Sequence, residues 1–252
     1  MENFDPTSPT IQLQPPLEPQ PPASRLFASP WHTLLLVLLL VGFSALGARS
    51  SAHLTGKEPR IPLYLATMIW EWLLLGYVWI GLRLRHVPLR QVIGGRWSSA
   101  ADFLRDIAIS IAFMIVALFV LGVVGKILGL TGKAQASEAK RIFGFLVPRT
   151  RTEIYFWVAV SATAGFCEEI IFRGYLQQQF RLIFRNAAAG VVISALLFGI
   201  SHGYEGGKRM VLIAVYGALF GLLALWRKSL RPGMFAHGLY DSMSGVLMRK
   251  LT

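Results

Sequence analysis

Apolar runs the length of a membrane span, separated by short polar segments, organise most of this chain. The first is centred on Trp31–Gly47 and the second on Ile61–Leu82, with Trp and Tyr near the ends of the second as interfacial anchors. A third covers Asp106–Leu130, and a fourth begins at Thr152 and runs into a pair of glutamates, Glu168 and Glu169. Ala187–His202, Met210–Trp226 and Pro232–Leu247 complete the series. Apolar stretches of this length with few charges read as membrane helices. The pattern therefore predicts an all-α, multi-pass transmembrane helical bundle of about seven spans. The last span is only weakly apolar and has to be shielded by protein.

The segments between the spans define the organisation. Residues 1–30 hold 8 of the 13 prolines and predict a disordered, extended tail. Residues 31–149 supply N-terminal transmembrane helices, and residues 150–252 form a unit that holds every cluster of candidate chemistry. The first span is read as an uncleaved anchor, because the region before it is long, Pro-rich and poor in basic residues. A charged connector over 83–106 is expected to place Val87–Ala101 on the membrane surface. A polar loop over 131–151 carries an apolar patch, Ile142–Val147, of interfacial character. No internal repeat is evident, which argues against a transporter of inverted-repeat design. Lys and Arg divide almost evenly between the two sides, so their distribution does not set the orientation.

Composition sharpens this picture. Hydrophobic residues make up 54% of the 252 and charged residues only 15%, against about 25% charged in an average soluble protein. The formal net charge of +12 is explained by basic loops meeting anionic head groups. No nucleic-acid-binding motif accompanies it, so nucleic acid is not an expected partner. The single cysteine, Cys167, rules out an internal disulfide and any multi-cysteine metal site. Flanked by Glu168 and set in an apolar stretch, it reads as a small packed hydrophobe rather than a nucleophile.

Ionisable side chains at membrane depth are costly and mark functional sites by default. Glu169 and Arg173 are four residues apart, acid before base, and so lie on one helix face as a charge-neutralising pair. Glu168 points about 100° away around the axis and is free to face a cavity as base or ligand. His237 and Asp241 share the same four-residue spacing on the last span, and His202 ends the fifth. Gly199 and Gly203 flank the end of that span and allow close helix approach. Phe198 and the methionines of the last span read as packing. Glu71, alone in the middle of the second span, is expected to pair structurally with a neighbouring helix. Glu168, His202, His237 and Asp241 can thus converge on one cavity and serve two mechanisms. In one, Glu168, His202 and His237 hold a divalent metal such as zinc that activates water. In the other, Glu168 and His202 activate water directly while His237 and residue 241 stabilise an oxyanion.

The order Glu168-Glu169-x-x-x-Arg173, Phe198-x-x-x-His202, His237-x-x-x-Asp241 resembles the CPBP family of intramembrane proteases. That family includes type II CAAX prenyl endopeptidases and bacteriocin-processing or immunity proteins. The resemblance covers roughly residues 150–248. It implies a catalytic chamber open to the membrane and a general base at Glu168, supported by Glu169 and Arg173. It further implies two catalytic histidines at His202 and His237. The last motif position is Asn in some members and Asp in others. An ionised Asp241 cannot donate a hydrogen bond, which favours a metal-binding or histidine-orienting role there. The expected activity is hydrolysis of a peptide bond in a membrane-associated protein or peptide, with the bilayer of a bacterial plasma membrane as the setting. The alternatives are a non-catalytic immunity or scaffold protein of the same fold, and an ion-coupled transporter using Glu71, Glu168 and the histidines.

Overall fold

The computed structural model describes residues 26–51, 59–132, 137–138 and 142–251. The Pro-rich tail thus lies outside the described residues up to position 25. The helices, in order, are α1 (Pro30–Ser51), α2 (Arg60–Leu84), α3 (Leu89–Ile93), α4 (Ala100–Ile127) and α5 (Arg151–Glu168). A π-helical segment (Glu169–Leu176) joins α5 to α6 (Gln177–Phe184). Then come α7 (Ala187–Ser201), a 3-10 turn (Gly203–Glu205), α8 (Gly207–Arg227) and α9 (Arg231–Leu251). Among the described residues there is no strand, only one isolated bridge between Gly94 and Ser229.

Among the described residues, five helices are long and apolar enough to cross a membrane: α1, α2, α4, the continuous run Arg151–Phe184, and α8. Of the other two expected spans, α7 is apolar but has 15 residues, about 22 Å at the helical rise. That is short of a hydrocarbon core roughly 30 Å thick. The other, α9, is not apolar enough to qualify by composition. It packs against α5 and α4, which is the shielding its polar content demands.

Helix α4 shows how a bundle in lipid differs from one in water. Its buried residues are Asp106, Ser110, Ala117 and Gly125, whereas Leu104, Ile111, Ile115, Val116 and Phe119 are exposed. Large side chains face outward because lipid welcomes them. Small and polar ones face inward because backbones can approach there and hydrogen bonds form. Ser110 Oγ donates to Pro232 O at 2.9 Å, and Asp106 accepts from Trp97 Nε1 at 2.8 Å and from Arg227 at 3.3 Å. The bonds to Pro232 and Arg227 tie α4 to the junction of α8 and α9.

Polar staples also join α1 to the second half of the chain. His32 bonds Tyr175 Oη and the Tyr77 carbonyl, each at 3.0 Å, and stacks on Tyr77. Gln179 binds the backbone of Phe27 and Ala28. Ser44 Oγ donates to Ile200 O at 2.5 Å and accepts from Gly203 N at 3.1 Å. Both connectors are also anchored to the bundle. Val92 of α3 is buried, Leu230 N donates to Ile93 O, and Arg231 donates to Gly94 O. In the 142–147 patch, Phe145 and Val147 are buried, and Tyr64 Oη and Arg60 donate to the carbonyls of Leu146 and Gly144. The unpaired carbonyls of a short irregular segment need such donors when water is scarce.

Candidate functional site

The site is assembled around the break from α5 into the π segment. Helix α5 starts at a capping box, with Thr150 and Glu153 satisfying each other's backbone amides. It keeps α-helical geometry through Glu168. The hydrogen-bond register then lengthens, and Gln177 N reaches Phe172 O five residues back. Ser194 Oγ of α7 donates to the same carbonyl at 2.7 Å. All eight residues of the segment, Glu169 to Leu176, are buried. A simple α-helix was expected here. Short π insertions are frequent at functional sites because they re-aim side chains within a helix.

The two glutamates separate as the helical geometry predicts. Glu169 and Arg173 form an ion pair at 2.9 Å with side chains 0% and 1% exposed. The Arg173 guanidinium also lies over the Phe198 ring at 4.2 Å and near Phe220 at 5.1 Å, and donates to Gly217 O at 3.4 Å. Phe198 is thus packing, as expected, and at the same time a cation–π partner. Its ring stands edge-on to both His202 and His237.

His237 reaches this pair from α9. Its Nδ1 is 3.1 Å from Glu169 Oε1, and its Nε2 is 3.6 Å from Glu168 Oε2 and 3.5 Å from Asp241 Oδ2. A carboxylate engaged by arginine can only accept, so Nδ1 is the donor to Glu169. That fixes the ring with Nε2 toward Glu168 and Asp241. The close approach of α9 is possible because Gly165 meets the backbone of Met234 and Gly238 directly, and Gly238 meets that of Ser161 and Ala162.

Exposure rises across the site. Glu169 is sealed and the His237 side chain is 4% exposed, whereas Glu168 is 17% and Asp241 29% exposed. Of these four, Glu168 and Asp241 are therefore the side chains most open to water. His202 sits at the end of α7, with Nδ1 2.9 Å from Phe198 O. It is within electrostatic reach of Asp241 but makes no direct bond to Glu168 or His237 among the described contacts. Gly199 fits against α8, and Gly203 against Ser44 of α1, so both glycines serve the close approach expected of them. Beside His202, burial pushes the Glu205 carboxyl above the usual carboxylate range, against the opposing pull of His202.

Among the described residues, no group of three or more His, Cys, Asp or Glu side chains is arranged to hold a metal ion. As placed, Glu168, His202 and His237 do not make a metal-holding set: the two His237 nitrogens already face carboxylates and His202 stands apart.

Two residues gain importance in the structure. Glu71 is buried, and its Oε2 lacks any hydrogen-bond partner, so the structural pairing expected for it is missing at that oxygen. It lies within electrostatic reach of Glu168 and Asp241, which makes it a neighbour of the site. Tyr216 of α8 was not singled out by the sequence at all. Its ring packs against Phe220 at 4.6 Å, Tyr240 at 5.1 Å and His237 at 6.2 Å. Its buried hydroxyl has no hydrogen-bond partner, a state that costs about 1–3 kcal/mol. The available signal was a hydroxyl-bearing ring one helical turn before Phe220, within an otherwise apolar helix. Cys167 is buried in the core, in keeping with its reading as a packed hydrophobe.

No match to the chain was found among curated proteins or among solved structures. Residues 148–243 match the family model described as type II CAAX prenyl endopeptidase Rce1-like. The matched stretch carries Glu168, Glu169, Arg173, His202, His237 and Asp241, in agreement with the family resemblance read from those motifs.

Proposed function

We propose that the protein is an intramembrane endopeptidase that hydrolyses a peptide bond near the C-terminus of a membrane-held, CAAX-type substrate by a glutamate-activated water. The observation that carries this reading is the split between the glutamates. Glu169 is neutralised by Arg173, whereas Glu168 is partly exposed, without an arginine partner, and 3.6 Å from His237 Nε2.

In this mechanism Glu168 takes a proton from water as its oxygen bonds to the scissile carbonyl carbon. The carbonyl oxygen gains negative charge. His237 carries one proton on Nδ1, held by Glu169, and a second on Nε2 that it offers to this oxyanion. Asp241 accepts from Nε2 in the resting enzyme, which is the histidine-orienting role open to a carboxylate at this position. When the C–N bond breaks, protonated Glu168 returns its proton to the departing amine, so the carboxylate is regenerated. His202, near the exposed side of the site, helps to place the water. Glu169 and Arg173 keep the imidazole fixed and the buried charge balanced.

The test is cleavage of a synthetic farnesylated CAAX peptide by the purified full-length protein in detergent. Glu168→Ala and His237→Ala are expected to abolish cleavage while remaining folded. Cleavage at the wild-type rate by Glu168→Ala would sink the assignment.

A further inference from the structure

We infer that Tyr216 is a further catalytic residue whose phenol donates a hydrogen bond to the oxyanion formed at the scissile carbonyl. The inference rests on the hydrolytic reading above and adds to it a donor that the three sequence motifs do not contain.

The need for such a donor follows from Asp241. An ionised carboxylate repels an oxyanion and has no proton to give it. This leaves His237 Nε2 as the one donor among the motif residues near Glu168, and Nε2 already faces two carboxylate oxygens. Oxyanion sites that work well in acyl transfer combine more than one donor.

Tyr216 meets the requirement on three counts. First, its side chain is in place: the ring touches the His237, Phe220 and Tyr240 rings, and its hydroxyl lies in the field of Asp241, Glu169 and Arg173. Second, the residue is 7% exposed and its hydroxyl is unpartnered. Buried hydroxyls are nearly always bonded, and an orphan in a native site calls for an explanation such as a ligand that arrives later. Third, a ring alone does not need the oxygen. Phe220, which packs on it, and Phe198, which packs on the same His237 ring, fill the aromatic cluster without one. The other buried tyrosines among the described residues, Tyr64 and Tyr175, are different, because both have hydrogen-bond partners.

The chemistry adds no new reactant. Water oxygen bonds to the carbonyl carbon, the carbonyl π pair moves onto oxygen, and Tyr216 Oη–H shares its proton with that oxygen without transferring it. When the carbonyl re-forms and the C–N bond breaks, the phenol is unchanged.

The experiment compares wild type, Tyr216→Phe and Glu168→Ala in the farnesylated-peptide assay, with thermal unfolding of each variant measured in the same detergent. Tyr216→Phe is expected to lower kcat by about 10- to 1,000-fold, the range seen when one oxyanion donor is lost. KM should be unchanged, and the melting temperature unchanged or higher because no bond is broken in the resting protein. A matched peptide with a phosphinate in place of the scissile amide, which mimics the tetrahedral oxyanion, should bind Tyr216→Phe at least about 10-fold more weakly, whereas the parent peptide should bind both proteins equally. Wild-type kcat in Tyr216→Phe overturns this inference and leaves the protease reading intact. A folding loss in Tyr216→Phe also overturns it, since the hydroxyl would then be structural. Absence of cleavage by wild type itself removes both readings.

Discussion

Gly165 is where packing and chemistry are most directly coupled, and Gly165→Ala tests that coupling. A Cβ at this position would stand 2.7 Å from both Gly238 N and Met234 O, against 3.4 Å for ordinary van der Waals contact. These neighbours are backbone atoms of α9 and cannot swing aside. The two helices must therefore part by about 0.7 Å. Gly238 directly follows His237, so the imidazole moves with it. The His237 Nδ1 to Glu169 Oε1 separation of 3.1 Å would grow to about 3.8 Å, outside hydrogen-bond range. Overpacking of this kind costs about 1–3 kcal/mol. A misplacement approaching 1 Å at a catalytic group lowers turnover by about 100-fold. The assay is kcat on the farnesylated peptide together with thermal unfolding in detergent. Gly122→Ala on α4 is the control, since nothing lies within 4 Å of its added Cβ. Wild-type kcat and stability in Gly165→Ala, with Gly122→Ala also silent, would refute the reasoning that this glycine sets the α5–α9 distance.

Three other substitutions probe the frame of the site. Arg173→Met leaves Glu169 as an uncompensated buried charge, and is expected to cost about 3–5 kcal/mol of stability in thermal unfolding as well as activity. Ser44→Ala removes two bonds that hold the Ile200–Gly203 turn beside His202; it should cost about 1–2 kcal/mol and lower kcat several-fold. Glu71→Leu removes a buried carboxyl oxygen that has no partner. It should leave the melting temperature unchanged or raise it by a few degrees, and a lower one would reveal a stabilising contact at Glu71.

Some of this architecture is written locally in the sequence and some is not. Hydropathy marks the helices because lipid-facing residues dominate their composition, as on α4. Four-residue spacing separates Glu168 from the Glu169–Arg173 pair, since that relation depends only on one helix. The π segment was not legible, because its register is linked to a carbonyl that Ser194 on another helix also engages. Glu71 looked like a partner for some neighbouring helix, and only the packing of α2 on α5 shows which groups it meets. Tyr216 carries no local mark, since an unpartnered hydroxyl is a property of its surroundings. For α9, weak apolarity correctly implied shielding by protein, whereas its length suggested a span that its composition does not sustain.

The staples from the N-terminal segment have a consequence for how the matched stretch could be moved or recombined. Gln179 is satisfied by the backbone at Phe27 and Ala28, Tyr175 by His32 and Thr33, and Ile200 by Ser44. Every one of these partners lies upstream of the stretch that matches the family model. Cut out at residue 148, that stretch would present several orphaned polar groups to hydrocarbon. The leading helices therefore act as a fitted half of the unit. A chimera that grafts residues 148–243 onto another membrane anchor must bring equivalents of His32, Ser44 and the 27–28 backbone with it.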